Sequence, residues 1–397
     1  MRSEPEVREV AVGELGEVRM GKQLSPASRA AGHQYPYLRV ANVYEGRITY
    51  DDVKSMSFAP AERKIYSLQP GDILLNEGQE NLGMVGRSAI YEGESGAYCF
   101  QNTLIRFRPS EQILPEYAQA VFINWRRQGV FARVAEKTSI SHLGGSRFAA
   151  LPFPVVPLTE QRRIMEVMGA ITESERSIEA SMGKFWAIRT GLTEKLSTLH
   201  MKEFSNVVES GPQNGLYKAA SSYGVSGTPI VRINSFSGGP SDFTRSLLRI
   251  DASAREISQY AIEYGDVLIN RVNTPELVGK STTVTSLSEP TVFESNIMRC
   301  KLDSGRAIPE FAEVWLGTAT AKAHFLRRAK SAVSQASINR TDVLTTPFPD
   351  LGLAEQEQFL QRLNWVNTRI KADRESLDKL RQLKLGLADD LLGRRVR

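Results

Sequence analysis

Apolar residues recur at alternating steps of four and three residues in two separate segments of the chain. The positions are Ile164, Met168, Ile171, Glu175, Ile178, Met182, Phe185, Arg189, Leu192, Leu196 and Leu199 in the first segment, and Phe359, Leu363, Val366, Ile370, Asp373, Leu377, Leu380, Lys384, Leu387 and Leu391 in the second. A heptad seam of this length is typical of helices that pack on each other. The pattern predicts two long helices, over residues 159–200 and 354–397.

The few polar residues within this seam indicate how the helices are oriented. In a parallel pair in register, Arg189 would face Lys384, which places two cations together. In an antiparallel pair, Glu175 can lie near Lys384, and Arg189 can lie near Asp373. The parallel register would also place Asp373 opposite Ile178 and Glu175 opposite Ile370. Two ion pairs are better than one like-charge contact and two charges facing apolar residues, so the sequence predicts an antiparallel coiled coil.

The regions between the helices have the pattern of mixed α and β structure. Short β-branched runs bounded by Gly and Pro predict strands, among them ILLNEG, LIRFRP, DVLIN and TTVT. One helix in each region is predicted to begin at a proline, from Pro115 to about Lys137 and from Pro309 to about Lys330. The fold class is therefore predicted to be α+β, with mostly antiparallel strand pairing.

The two halves of the chain are diverged copies of one unit. Pro70–Asn76 matches Tyr264–Asn270, and Leu114–Tyr117 matches Ile308–Phe311, in the same order along the chain. A repeat must be recognised before any motif, because each copy is a structural unit. We predict two tandem domains, at 1–158 and 201–353, each followed by one of the long helices.

Composition and charge add little to this division. The chain has 397 residues, 41% of them hydrophobic, a formal charge of +5 and a pI near 9.1. Each predicted domain is nearly neutral, so DNA binding would need basic groups gathered on one face. No apolar run is long enough for a membrane span and no signal peptide is evident, so a cytoplasmic protein is expected. Cys99 and Cys300 lack C-x-x-C spacing, which favours buried free thiols.

Two loops that follow matching strands carry side chains suited to reading bases. Residues 76–87 and 270–280 occupy equivalent places in the repeat and differ in sequence. Asn and Gln can bond adenine and Arg can bond guanine in the major groove. The candidate base-reading residues are Gln79, Asn81, Arg87, Arg271, Asn273 and Lys280. An ordinary glycine-bearing hairpin is the structural alternative.

A second set of residues lies at the C-terminal end of the proline-initiated helix of each domain and in the segment after it. It combines basic groups with hydroxyl and amide groups, as phosphate contacts do. The candidates are Arg133, Lys137, Ser139 and Ser141 in the first domain, and Arg328, Lys330, Gln335, Ser337, Asn339 and Arg340 in the second. Charged, solvated helix ends are the alternative.

The sequence carries no recognisable catalytic or metal-binding motif. Gly279-Lys280-Ser281-Thr282 resembles the end of a phosphate-binding loop, but Thr274 stands where that motif needs Gly. His33, His142 and His200 have no spacing typical of a metal site or a catalytic triad. We therefore expect a non-catalytic chain with no metal and no cofactor of its own.

Together these features resemble one family, the DNA-specificity subunits of type I restriction-modification systems. The resemblance rests on the paired Gly-Asp-(Ile/Val)-Leu-(Leu/Ile)-Asn strands at 71–76 and 265–270, on Leu158–Ile164 and Leu353–Gln356 at the helix starts, and on Gly386–Arg394. It implies two target-recognition domains, each reading half of a bipartite site in double-stranded DNA. The helices would serve as spacer and as docking surface for two adenine methyltransferase subunits.

The same resemblance implies that chemistry comes from partners. S-adenosylmethionine would be bound by the methyltransferase subunits, and ATP with Mg²⁺ by a restriction and translocase subunit that joins later. A prokaryotic, nucleoid-associated protein is expected. Two alternatives stay open on the sequence: a coiled-coil scaffold that joins proteins without touching DNA, and a nuclease with scattered acidic residues.

Overall fold

The chain forms two compact units, each built from both a globular domain and parts of the two long helices. A computed structural model describes residues 7–26, 28, 34–79, 82–137, 141–244, 246–331 and 335–393. Unit 1 contains residues 1–179 and 375–397, and unit 2 contains residues 180–374. Each long helix therefore contributes one part to each unit.

The described strands of unit 1 are short, and most lie in the globular domain. They are β1 (Arg8–Ala11), β2 (Gly16–Met20), β3 (Gln34–Leu38), β4 (Val43–Tyr44), β5 (Arg47–Ile48), β6 (Lys54–Ser57), β7 (Ile73–Asn76), β8 (Gly78–Gln79), β9 (Ser88–Ile90), β10 (Cys99–Phe100), β11 (Leu104–Pro109), β12 (Glu136–Lys137), β13 (Ser141–His142) and β14 (Pro152–Val155). The helices are α1 (Val12–Leu15), α2 (Pro60–Tyr66), α3 (Pro115–Arg127), α4 (Val130–Val134), α5 (Gly145–Ala149) and the first part of α6 (Leu158–Leu196).

Unit 2 repeats this plan with its own set of elements. The strands are β15 (Met201–Glu203), β16 (Val208–Asn214), β17 (Tyr223–Gly224), β18 (Thr228–Val231), β19 (Ser241–Asp242), β20 (Arg249–Ile250), β21 (Val267–Asn270), β22 (Val272–Asn273), β23 (Ser281–Ser286), β24 (Val292–Phe293), β25 (Ile297–Leu302), β26 (Lys330–Ser331), β27 (Ala336–Ser337) and β28 (Pro347–Pro349). The helices are α7 (Ala254–Tyr260), α8 (Pro309–Leu316), α9 (Ala319–Arg328), α10 (Arg340–Leu344) and the first part of α11 (Leu353–Leu392).

The central sheet of each unit confirms the predicted strands. Its strand order is β2-β11-β7-β9 in unit 1 and β16-β25-β21-β23-β19 in unit 2. β7 and β21 are buried along their whole length, since both faces of these strands are covered by apolar residues. Most described strand pairs are antiparallel, as predicted. The pairs β10-β3, β18-β24 and β19-β23 are parallel.

The prediction of one long helix after each proline is wrong, because each of these segments forms two helices. In unit 1 the proline-initiated helix α3 ends at Arg127, and Gly129, with φ +74°, turns the chain before α4. In unit 2 the break falls at Thr318, whose hydroxyl accepts a hydrogen bond from the Ala321 amide and so caps α9. The Thr318 cap satisfies a backbone amide that a continuous helix would satisfy internally.

A buried glutamine at the start of each long helix repeats the same hydrogen bonds in both units. Gln161 accepts from the Leu114 amide at 2.8 Å and donates to the carbonyls of Val156 and Gln112. Gln356 accepts from the Ile308 amide at 2.9 Å and donates to Leu351 and Arg306. Both glutamines are 0% exposed. A buried amide is costly unless all its partners are present, so these contacts fix the helix start against the domain.

One glycine in each unit lies where no side chain fits. Gly86 has φ +77°, and a Cβ at this position would lie 2.1 Å from the Phe131 ring. Gly279 has φ +78°, and its Cβ would lie 2.2 Å from the Phe325 ring. Both the backbone conformation and the packed ring require glycine at these two equivalent places.

The long helices bury the predicted seam. Each of the seam positions given above is buried or half-buried, while most flanking positions are exposed. In unit 1, the Lys384 ammonium contacts the Glu175 carboxylate at 2.6 Å, which confirms the predicted pair. Arg381 also contacts Glu179 at 2.7 Å. As positions rise along α6 they fall along α11, so the two segments of unit 1 run antiparallel.

The second predicted ion pair, Arg189 with Asp373, is wrong. In unit 2 the Arg189 guanidinium donates to the Asn367 side chain at 3.1 Å. Asp373 instead accepts from the Ser181 hydroxyl at 2.8 Å and lies 3.5 Å from Arg369 of its own helix. Asp373 is 8% exposed, and a small hydroxyl reaches it where the seam is tightly packed. Heptad spacing alone does not identify the facing residue to within one turn.

Two further expectations concern the cysteines and the membrane. Cys99 and Cys300 are buried free thiols, as predicted, and burial raises the pKa of Cys99 to about 11 and of Cys300 to about 12. No helix in the described ranges combines the length and apolar character that a bilayer crossing requires.

Candidate nucleic-acid interface

A small three-stranded sheet in unit 1 brings the two predicted sets of site residues together. Its strand order is β12-β13-β8. Ser141 pairs with Lys137 on one side and with Gln79 on the other, and His142 pairs with Glu136 and Gly78. The candidate base-reading loop and the candidate phosphate-binding segment are therefore neighbouring strands, although more than 50 residues separate them in sequence.

Unit 2 contains the equivalent sheet in the same register. Its order is β22-β27-β26, with Ser337 paired to Val272 and to Lys330. One backbone contact identifies the equivalence: the Leu143 amide donates to the Glu77 carbonyl at 2.8 Å, and the Ile338 amide donates to the Arg271 carbonyl at 3.0 Å. We refer to these two structures as the small sheets.

Each small sheet is held in place by the buried strand that precedes it. β7 and β21 end at Asn76 and Asn270, both 0% exposed, and the chain passes directly into β8 and β22. The next backbone amides, of Glu77 and Arg271, donate to Thr103 and Asn296 in the turn before the neighbouring strand. A site on such rigid elements holds its side chains in fixed positions.

Three of the predicted base-reading residues, Gln79, Arg271 and Asn273, lie in or directly before the strands of the small sheets. Arg271 donates from Nε to the Ser295 carbonyl at 3.1 Å, and Asn273 accepts from the Thr274 amide at 2.8 Å; both are half-buried. The Arg87 guanidinium lies over the Tyr44 ring, 4.9 Å from its centroid. Asn81 lies outside the described residues, and of Gln79 only the backbone is described.

Lys280 has contacts that a scaffold residue would have. Its ammonium donates to the carbonyls of Ile233 and Phe236, at 2.9 and 2.7 Å, and lies over the Phe236 ring. Burial lowers the pKa of Lys280. These contacts use two of its three N–H donors within the domain, so fixing the 233–236 turn accounts for this lysine.

The predicted phosphate-binding residues of unit 2 are mostly exposed. Arg328, Lys330, Gln335 and Arg340 are exposed, and Ser337 is half-buried. Asn339 is different, because its side chain accepts from the Asp342 amide and caps α10. Its carbonyl oxygen is therefore already engaged in the fold.

The corresponding residues of unit 1 are less fully described. Arg133 is exposed and donates to the Gln128 carbonyl at 2.9 Å. Ser139 lies outside the described residues, and only the backbone is described for Lys137 and Ser141. The backbone positions nevertheless place Lys137 and Ser141 opposite each other in the small sheet.

One side-chain contact in this region was not predicted from the sequence. The His142 Nδ1 lies 2.8 Å from the Glu77 carboxylate, joining β13 to the residue before β8. The signal was present in the repeat, since Glu77 aligns with Arg271 and His142 with Ser337. Equivalent positions that carry an acid in one copy and a base in the other, on a scaffold that is repeated within the chain, are candidates for function.

The chemistry available here is that of binding. Exposed guanidinium and ammonium groups can contact phosphates, and amide and guanidinium side chains can bond base edges. Within the ranges that the structure describes, no cluster of His, Cys, Asp and Glu side chains could hold a metal ion.

Comparison with known proteins agrees with this chemistry. Residues 4–181 match the family model described as type I restriction modification DNA specificity domain. The chain is 22% identical over 356 residues to the type I restriction enzyme EcoKI specificity subunit of Escherichia coli K12, covering 83% of this chain and 74% of that protein. It is 21% identical over 355 residues to the StySPI specificity subunit of Salmonella potsdam, with the same two coverages.

Solved structures share the fold over nearly the whole chain. The HsdS subunit from Thermoanaerobacter tengcongensis has a TM-score of 0.62 at 15% identity, covering 98% of this chain and 97% of that one. A chain from a structure addressing complex assembly and conformational transition of the type I R-M system has a TM-score of 0.63 at 14% identity, covering 99% of each chain. Residues 4–181 thus match the type I restriction modification DNA specificity domain, and the chain is similar in sequence and in fold to type I restriction enzyme specificity subunits.

Proposed function

We propose that each globular domain reads one half of a bipartite site in double-stranded DNA, using its small sheet and the adjoining loops. The observation that carries the proposal is that the small sheets have one register and different side chains. In unit 1 the positions are Glu77, Gln79 and His142; in unit 2 they are Arg271, Asn273 and Ser337. One scaffold with two sets of hydrogen-bonding groups suits two different half-sites.

The long helices would set the distance between the half-sites as an antiparallel coiled coil. The buried seam and the Glu175–Lys384 contact in unit 1 support this role, as do the Ser181–Asp373 and Arg189–Asn367 contacts in unit 2. Two readers at a fixed separation bind two half-sites on one face of DNA only when the spacing suits the helical turn of roughly 34 Å. The base pairs between the half-sites would not be read.

The partners are proposed from the family. Two adenine methyltransferase subunits would dock on the helices and bring S-adenosylmethionine, and a restriction subunit would bring ATP and Mg²⁺. The similarity to a chain solved in the context of type I R-M complex assembly supports this. In that arrangement this chain contributes recognition, and its partners contribute catalysis, in association with the nucleoid.

The test is selection of DNA by the full chain together with its methyltransferase subunit. A pool of duplexes with a randomised stretch of about 25 base pairs should yield two short conserved blocks separated by a fixed number of random positions. Mapping methylated adenines in cells that carry both genes should return the same motif. A single continuous block would contradict the two-reader proposal, and absence of any salt-sensitive binding would favour the scaffold alternative.

A further inference from the structure

The pair formed by Glu77 and His142 places a carboxylate within the proposed DNA-reading surface of unit 1. The Glu77 side chain is 12% exposed and the His142 side chain is 43% exposed. Burying a carboxylate is costly, and placing it near DNA phosphates adds repulsion. The contact of this carboxylate with the neighbouring His142 ring explains its presence at such a position.

Glu77 fixes both the orientation and the tautomer of the His142 ring. With Nδ1 2.8 Å from Oε2 of Glu77, the ring donates its Nδ1–H to the carboxylate. Nε2, on the other side of the ring, is then an acceptor in the neutral imidazole. The backbone on both sides is also fixed, because the Leu143 amide donates to the Glu77 carbonyl. The His142 ring is therefore fixed both by its hydrogen bond to the Glu77 carboxylate and by the backbone hydrogen bond between the two strands.

This pair is poorly suited to bind phosphate. Phosphate contacts draw their free energy from net positive charge. The Glu77 carboxylate cancels the charge of a protonated His142 and leaves the pair negative when the ring is neutral. An oriented acceptor is instead suited to the exocyclic amine of cytosine or adenine in the major groove.

The equivalent positions of unit 2 have a different chemistry. Arg271 replaces Glu77 and Ser337 replaces His142, in the same strand register. The Arg271 side chain donates to the Ser295 carbonyl and has further N–H groups available. The same two places therefore offer an oriented acceptor in one unit and a donor in the other.

We propose that His142 is a base-reading residue of the first domain and that Glu77 is the positioning residue that orients its ring. The inference rests on the proposed function of the small sheets and names the residues that give the first half-site its specificity. Its substrate is a base edge carrying an exocyclic amine in the major groove.

The experiment repeats the duplex selection with variants of the full chain and its methyltransferase subunit. His142→Ala should relax selection at one base pair of one block and leave the other block unchanged. Affinity for the duplex selected by the wild-type chain should fall about 10-fold, and affinity for a scrambled duplex should not change. Glu77→Ala should have the same effect as His142→Ala. Glu77→Gln keeps an acceptor for Nδ1–H and should retain selection at that base pair.

Ser337→Ala is the matched control, because it alters the equivalent position of unit 2 and leaves the unit 1 block intact. Equal weakening of selected and scrambled duplexes by His142→Ala would overturn the proposal in favour of a phosphate contact. Unchanged selection in His142→Ala would overturn it in favour of a purely structural pair. Failure of the proposed function is distinguishable, since the wild-type chain itself would then select no motif. Thermal unfolding of each variant separates loss of folding from loss of selection.

Discussion

The Glu175–Lys384 ion pair offers a quantitative test of the antiparallel seam in unit 1. The Lys384 Nζ lies 2.6 Å from the Glu175 carboxylate, and the two side chains are 29% and 14% exposed. Exposed pairs contribute up to about 1 kcal/mol, and breaking a fully buried pair costs about 3–5 kcal/mol. A half-buried pair lies between these limits. We expect Glu175→Lys or Lys384→Glu alone to lower the free energy of unfolding by about 2 kcal/mol.

The double reversal should restore most of that loss, because it rebuilds the pair with opposite polarity. We expect the double variant to lie within about 0.5 kcal/mol of the wild-type chain, a coupling of more than 3 kcal/mol in the cycle. Urea unfolding followed by circular dichroism measures the free energy of unfolding of each variant. If that free energy falls by about 2 kcal/mol per molar urea, each single reversal shifts the unfolding midpoint by about 1 M. Glu166→Lys, at an exposed position of the same helix, is the control and should change stability by less than about 0.5 kcal/mol. Simple addition of the two single losses in the double variant would refute the pairing.

Four further outcomes are expected. Gly86→Ala and Gly279→Ala should each lower the free energy of unfolding of their own unit by about 2 kcal/mol or more, because the added Cβ meets a packed aromatic ring at a positive φ. Limited proteolysis should then cleave the altered unit first. Unchanged resistance of both units to the protease would contradict this reason. Burial raises the pKa of Glu313 from 4.5 to about 7, so the native state binds more protons than the unfolded state between these pH values, and stability should fall as the pH rises through that window. Glu313→Gln should abolish this fall and raise the free energy of unfolding at pH 8 by about 1–3 kcal/mol. An unchanged dependence of stability on pH in the variant would exclude the Glu313 carboxyl as its source. Lys330→Ala should weaken binding to selected and random duplexes equally and lower the slope of log affinity against log salt by about 1, and a loss confined to the selected duplex would indicate a base contact instead. Inserting seven residues into both long helices should change the number of unread base pairs between the half-sites or abolish binding, while the sequence of each half-site stays the same. A changed half-site sequence would contradict the proposal that the helices set the distance between the half-sites.

The candidate site could be predicted only in outline. The repeat located both segments of each small sheet, because matching scaffold strands frame loops that differ between the copies. The repeat could not predict that these two segments pair with each other. Strands of two residues carry no periodic signal, and their pairing depends on contacts between residues more than 50 positions apart. The Glu77–His142 contact was missed for the same reason. Lys280 and Asn339 were chosen for their chemistry, and the structure gives both of them partners within the fold.

The sequence by itself determined the periodic elements of this protein. The heptad seam predicted both long helices, because burying one face imposes a period on a single stretch of chain. Short β-branched runs bounded by Gly and Pro predicted the central strands. Only the tertiary structure decided which groups meet. It divided each proline-initiated helix in two at Gly129 and at Thr318, and it gave Arg189 a partner nearly two turns away from the expected one. Local periodicity specifies which face is buried, but side-chain partners depend on the packing of segments that are distant in sequence.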